Sequence, residues 1–214
     1  MPDKKKELKE TLRKSEGQFR IDGFDMKWRG DSFFYYRDKA EIAQIGFAFL
    51  SEKHAELGAL FGVYIGGSVN AGVIPSALSA TKISYPPKSL PVQYFYRSSL
   101  EYTNFQNLPK NGILSVFSWS DLTSINDVLV EYATGQILSD IKLYLSNSPS
   151  LSDRIFAHPD WFRYPALQIV YNAMTNSTMS DDILMQKLKD SKIYGSRDKQ
   201  VEEAIAAVKE ILKA

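Results

Sequence analysis

Cysteine is absent from the 214 residues, and histidine occurs only as His54 and His158. Without thiols there is no disulfide framework, no thiolate metal site and no thiol nucleophile. Two histidines far apart in sequence leave no multi-histidine site for zinc, copper or iron. We therefore expect no cofactor and no transition metal. Oxygen-only calcium or magnesium sites stay open, although no EF-hand spacing occurs. Long apolar runs are missing too. No stretch of about 18 apolar residues is present to cross a membrane. Lys4, Lys5 and Lys6 are not followed by the apolar run of about 7–15 residues that defines a signal peptide. These absences predict a cytoplasmic protein with no membrane association. An excess of one charge is also lacking: 26 Lys and Arg stand against 25 Asp and Glu, for a net charge of +1. A dedicated nucleic-acid binder clusters cations on the phosphate backbone, so this balance argues against one.

What is present suits a globular fold. Hydrophobic residues make up 44% and charged residues 24%, enough apolar material for a chain that should bury roughly 70% of its unfolded surface. Residues 4–15 read as a short helix with Leu8 and Leu12 on one face, ended by Gly17. Phe24, Met26 and Trp28 then alternate with Asp25, Lys27 and Arg29, the period of a strand. Gly30-Asp31 separates them from Ser32-Phe33-Phe34-Tyr35-Tyr36-Arg37. Gly first in a two-residue loop predicts a type II′ hairpin. That register places Trp28 opposite Phe33 and Met26 opposite Tyr35, with Lys27, Arg29, Phe34 and Tyr36 on the other face. Two further strands are expected over 41–50 and 57–66, and others over 92–102 and 113–119. The Gly-, Pro- and Ser-rich stretch 67–91 lacks a period, apart from a possible short helix near 76–82. A loop that long usually signals function or mobility.

The remainder reads as helical. Ile125, Leu129, Ala133, Ile137, Ile141 and Tyr144 form one stripe over 121–145, with Gly135 inside it. Pro149 stops that helix. Ser150-Leu151-Ser152-Asp153 has the spacing of a capping box and starts a helix to about 157. Helices near 163–174, 180–190 and 197–213 follow. Strands first and helices after predict an α+β fold. It has a mostly antiparallel sheet of about six strands, an N-terminal helix and a long helix packed on the sheet. We expect an α+β domain over 1–150 and a helical C-terminal extension over 151–214.

Chemistry-bearing motifs are few. His54-Ala55-Glu56 matches the H-x-E of zinc deaminases, but the two thiolates that chemistry needs do not exist here. His158-Pro159-Asp160 matches the tripeptide of J-domain co-chaperones, but it lacks the antiparallel helix pair and the basic residue after it. A helix-ending Pro beside Trp161 and Phe162 is the simpler reading. Gly66-Gly67-Ser68-Val69-Asn70-Ala71-Gly72 follows a strand but continues into Val73-Ile74-Pro75, so it is neither a Walker loop nor a dinucleotide fingerprint. It reads as a turn. Asp181-Asp182 reads as a pair of first-turn carboxylates favoured by the helix dipole. No G-x-S-x-G elbow is present, nothing raises one serine above another as a nucleophile, and the RNP1 signature of RNA-binding sheets is missing. No catalytic, cofactor-binding or metal residue is assigned.

Region 1–150 resembles a group of uncharacterised bacterial single-domain proteins, the domains of unknown function. The resemblance rests on the N-terminal helix and Gly23-Phe24. It also rests on Phe33-Phe34-Tyr35-Tyr36-Arg37, Ile42-Ala43-Gln44-Ile45-Gly46-Phe47, Phe61-Gly62-Val63-Tyr64-Ile65-Gly66, and Ser118-Trp119 before a long helix. Some members look like immunity or accessory proteins of toxin systems. The resemblance implies a non-enzymatic binding protein and carries over no catalytic residue, and the C-terminal third departs from the pattern. The expected function is thus a protein-binding module, whose partner is another protein or a second copy. Its candidate surface is Lys27, Arg29, Phe34 and Tyr36, because aromatics and Arg are what interface hot spots favour. Two alternatives stay open. The C-terminal helices could cover that face, or a small-molecule or hydrolase-type site could lie near 67–91.

Overall fold

The computed structural model describes residues 4–55, 57–69, 113–118, 122–159, 165–191, 206 and 209. The chain divides into two compact units, residues 1–68 with 96–141 and residues 69–95 with 142–214.

The first unit is α+β. Helix α1 (Lys4–Lys14) buries Leu8 and Leu12 completely. Gly17 does not end it as expected; the helix stops at Lys14, and Gly17 sits within a 3-10 turn, Glu16–Phe19. Five strands follow: β1 (Asp25–Arg29), β2 (Ser32–Arg37), β3 (Ala40–Leu50), β4 (Phe61–Val69) and β5 (Ile113–Val116). They form one sheet in the order β1-β2-β3-β4-β5, antiparallel in the pairings β1–β2, β2–β3 and β4–β5. Five strands, not six, lie among the described residues. The expected strand at 92–102 and the short helix at 76–82 fall outside them.

The first hairpin has the expected register, with Met26 opposite Tyr35 and Trp28 opposite Phe33. Gly30 adopts φ +63° while Asp31 stays out of the left-handed region, the pattern of a II′ turn. The second turn is different chemistry. Asp38 and Lys39 both take positive φ, 50° and 69°, which makes a type I′ turn without glycine. A bulge between Tyr35 and Tyr36 then shifts the β2–β3 ladder from Ala43 to Glu41, leaving Ile42 as the extra residue.

The inner face of the sheet is aromatic. Phe33, Tyr35, Ile45, Phe47, Phe61, Val63 and Ile65 are all fully buried, each worth about 1.5–3 kcal/mol of transfer free energy. Phe19, from the 3-10 turn, stacks on Phe33 at 4.2 Å between centroids, and its carbonyl accepts from the Tyr35 hydroxyl at 2.8 Å. Helix α1 reaches the same face: Lys9 Nζ lies 4.9 Å from the Phe49 ring and Lys5 Nζ 5.1 Å from that of Phe61. Beside α1 lies α2 (Leu122–Tyr132), which continues through a π-helical turn (Ala133–Ile137) into α3 (Leu138–Leu145). The expected stripe Ile125, Leu129, Ala133, Ile137, Ile141 and Tyr144 is buried throughout. The π turn contains Gly135, and the Thr134 hydroxyl donates back to the Val130 carbonyl at 2.8 Å. That side-chain bond competes with the helical ladder, and a single wide turn is how helices absorb such a defect.

The expected strand 57–66 begins later than its apolar run. Leu57 is fully exposed and Gly58 turns the chain at φ +88°. At the other end, Gly66 to Val69 belong to β4, so the glycine-rich segment opens as strand, not as a turn.

Apart from Val69, the last residue of β4, the described part of the second unit is helical: the end of α3, then α4 (Ser150–Ala157), α5 (Pro165–Thr175) and α6 (Asp181–Asp190). The expected capping box does not form. Pro149 occupies the N-cap and makes no side-chain cap; the Ser150 hydroxyl bonds that of Ser148 at 2.8 Å. Of the expected helix 197–213, only Ala206 and Lys209 are described, both helical, and Lys209 pairs with Asp181 at the start of α6. A buried amide ties the unit together. Asn172 Nδ2 donates to Asn147 Oδ1 at 2.7 Å and to the Ser148 carbonyl at 3.0 Å, while its Oδ1 accepts from Ser152 Oγ at 2.7 Å. Asn147 itself sits at φ +47° in the Schellman closure of α3, with Ser148 N–H bonded to the Leu143 carbonyl at 3.0 Å. Ser177 repeats the device at the end of α5, with φ +50° and Thr178 N–H bonded to the Ala173 carbonyl at 3.0 Å. The Asn176-Ser177-Thr178 triplet is thus a helix stop.

Candidate partner-binding face

Strand alternation sends every second side chain to the face away from Phe19 and α1. On β1 these are Asp25, Lys27 and Arg29, all exposed; on β2 they are Ser32, Phe34 and Tyr36. The register therefore brings all four sequence-derived residues, Lys27, Arg29, Phe34 and Tyr36, onto one patch. They do not play equal parts. The Arg29 guanidinium lies 4.1 Å from the Phe34 ring centroid and bonds Glu41 of β3 at 3.1 Å. Phe34 beneath it is only 9% exposed. Lys27 Nζ lies 5.6 Å from the ring of Tyr36, which stays half-buried. What this patch shows to solvent is two cations, each against an aromatic ring, rather than two free rings. A third such pair, Arg37 over Phe24 at 4.4 Å, closes the end of the hairpin.

Across β3 and β4 the same face carries several small residues. Gly46, Ala48, Gly62, Gly66 and Ser68 share this face with Gln44 and Tyr64, and Gly62 and Ser68 are themselves buried. A Cβ at Gly66 would stand 3.1 Å from Cε1 of Tyr64, so glycine there lets the Tyr64 ring lie down along the strand. At the far end, Leu60 N–H donates to the Val116 carbonyl at 2.7 Å, which holds Leu60 beside the last residues of β5. Leu60 and Phe117 are 41% and 42% exposed. Each stands one position beyond the strand ends, next to the paired residues Phe61 and Val116. Leu60 and Phe117 were missed as site residues because both read as interior positions of apolar strands. The signal available was the Gly58 turn, which sets the phase of β4.

The other motifs lie in turns and caps or outside the described residues. His54 closes a 3-10 turn (Glu52–His54), and Glu56 of its tripeptide lies outside the described residues. His158 is the C-cap of α4, with its N–H on the Arg154 carbonyl at 3.2 Å; Asp160 lies outside the described residues. Of the segment 67–91, only residues 67–69 are described, and they are strand. Among the described residues, no three His, Asp or Glu side chains group as metal ligands do, and no helix is long and apolar enough to cross a membrane. Burial raises the hydroxyl pKa of Tyr35 and of Tyr144 above the usual tyrosine range; both are core groups. No protein-family model, curated protein or solved structure matches the chain.

Proposed function

We propose that the protein is a non-enzymatic module that binds another protein through the outer face of its sheet, in the manner of an immunity or accessory protein. The observation that carries this reading is the exposed pair Leu60 and Phe117. These two large apolar side chains are each about two-fifths exposed at one end of the sheet, whose other end carries Lys27 and Arg29. Apolar exposure rimmed by charge is the composition of a recognition surface. The expected resemblance of region 1–150 is to uncharacterised bacterial domains, some members of which look like immunity proteins, and that expectation fits a binding role.

The test is capture from the native lysate with wild-type chain and with the double variant Leu60→Ser, Phe117→Ser. The expected result is one stoichiometric protein partner retained by the wild type and lost by the variant, with the melting temperature unchanged. Recovery of the wild-type chain alone, repeated under mild conditions, contradicts the reading.

A further inference from the structure

Strand β1 is the end of the sheet among the described residues. Backbone groups in an antiparallel pair face alternate sides. The two-residue turn makes Arg29 and Ser32 a hydrogen-bonded pair, so Arg29, Lys27 and Asp25 direct their N–H and C=O toward β2. The next ladder keeps the phase: Phe47 N–H donates to the Asp31 carbonyl at 2.8 Å, on the β3 side. Met26 and Trp28 therefore turn two donors and two acceptors to the open edge. Natural edges are commonly shielded by long cationic side chains. Here Lys27 and Arg29 lean the other way, back over Tyr36 and Phe34 of β2, and among the described residues no other side chain is seen to shield the edge.

We propose that this edge accepts one extended segment of another protein, paired antiparallel to β1 and alternating acidic with apolar residues. The proposal rests on the reading of the chain as a protein-binding module and names what it binds. Charge selects the segment. Acidic residues fall opposite Arg29 and Lys27, a basic residue falls opposite Asp25, and apolar residues fall opposite half-buried Trp28 and Met26. Main-chain bonds to Met26 and Trp28 supply affinity, and the alternate side chains supply specificity. A second copy of the chain would satisfy the same four backbone groups in a two-fold pairing about Lys27. It would also set Lys27 against its own copy, at a non-hydrogen-bonded position where like charges are closest.

The probe is a labelled, end-blocked nonapeptide, Ser-Thr-Glu-Val-Glu-Val-Lys-Thr-Ser, titrated against the full chain by fluorescence anisotropy. The expected result is saturable binding that slows hydrogen exchange at the Met26 and Trp28 amides. Lys27→Glu should weaken it about tenfold, and so should reversing every charge in the peptide. Met26→Pro removes an edge donor without touching the β1–β2 ladder, a placement edge strands tolerate, and should abolish binding. Absence of saturable binding overturns the proposal. So does binding that survives both Met26→Pro and Lys27→Glu, or a free chain that dimerises through this edge. If the peptide fails while Leu60→Ser, Phe117→Ser still abolishes capture of a partner, the edge proposal falls and the face reading stands.

Discussion

The guanidinium of Arg29 covers the ring of Phe34 at 4.1 Å and at the same time bonds Glu41 two strands away. This one side chain roofs Phe34 at the β1 end of the outer face and separates two residues that sequence parity treats alike. Phe34 belongs to the fold, and Tyr36 to the surface. Phe34→Ser should lower the unfolding free energy by about 2–4 kcal/mol, as truncation of a buried aromatic does. Tyr36→Ser should cost no more than about 1 kcal/mol. Urea unfolding of the two single variants checks this. Equal losses would mean that Tyr36 is core as well.

The Asp38-Lys39 turn predicts a gain. A left-handed conformation costs a side-chain-bearing residue about 1–2 kcal/mol, and Lys39 sits there at φ +69°. Glycine removes that strain but adds freedom to the unfolded chain, worth roughly half as much. Lys39→Gly should raise stability by about 0.5–1 kcal/mol in the same unfolding assay. Lys39→Val should lower it.

Asn172 predicts a loss specific to the second unit. Asn172→Leu keeps the volume but strands the Ser148 carbonyl, the Asn147 amide and the Ser152 hydroxyl. Leaving buried partners unmet costs about 1–3 kcal/mol each at most. A destabilisation of several kcal/mol is expected, with exchange protection falling first across α4 and α5. Unchanged protection there would show the network to be dispensable.

Tyr35 predicts the alkaline limit of the first unit. Its hydroxyl is buried on the Phe19 carbonyl, and burial raises its pKa. Above about pH 10 an unfolded tyrosine loses its proton while the folded one keeps it. The unfolded state then binds fewer protons, and stability falls as pH rises. The contribution is intact below about pH 10 and is lost as pH climbs toward the folded-state value, at about 1.4 kcal/mol per pH unit. The difference between wild type and Tyr35→Phe should stay level up to about pH 9 and shrink by about 1.4 kcal/mol in all between pH 9 and 11.

Much of this architecture is legible in the residues. The β1–β2 register follows from period 2 and Gly30, and the α2–α3 stripe follows from its spacing near four. The misses have physical causes. Asp38-Lys39 carries no glycine, so nothing in the sequence announces a turn that the strands impose. Phe19 looks like a loop residue, yet it stacks on Phe33 because a 3-10 turn returns it to the sheet. Ser150 through Asp153 has cap spacing, but Asn172 takes Ser152 and Pro149 takes the N-cap. On the outer face, parity places Lys27, Arg29, Phe34 and Tyr36 together. It does not reveal that Arg29 folds down on Phe34, because the tertiary choice of a long side chain leaves no periodic trace.

The most direct measurement is the binding constant of the captured partner for the full chain, by titration calorimetry, with and without Leu60→Ser, Phe117→Ser. The outer-face account predicts a loss of about a hundredfold or more, as removal of central apolar anchors gives, at an unchanged melting temperature. Equal affinity in the double variant would place the binding surface elsewhere and contradict it.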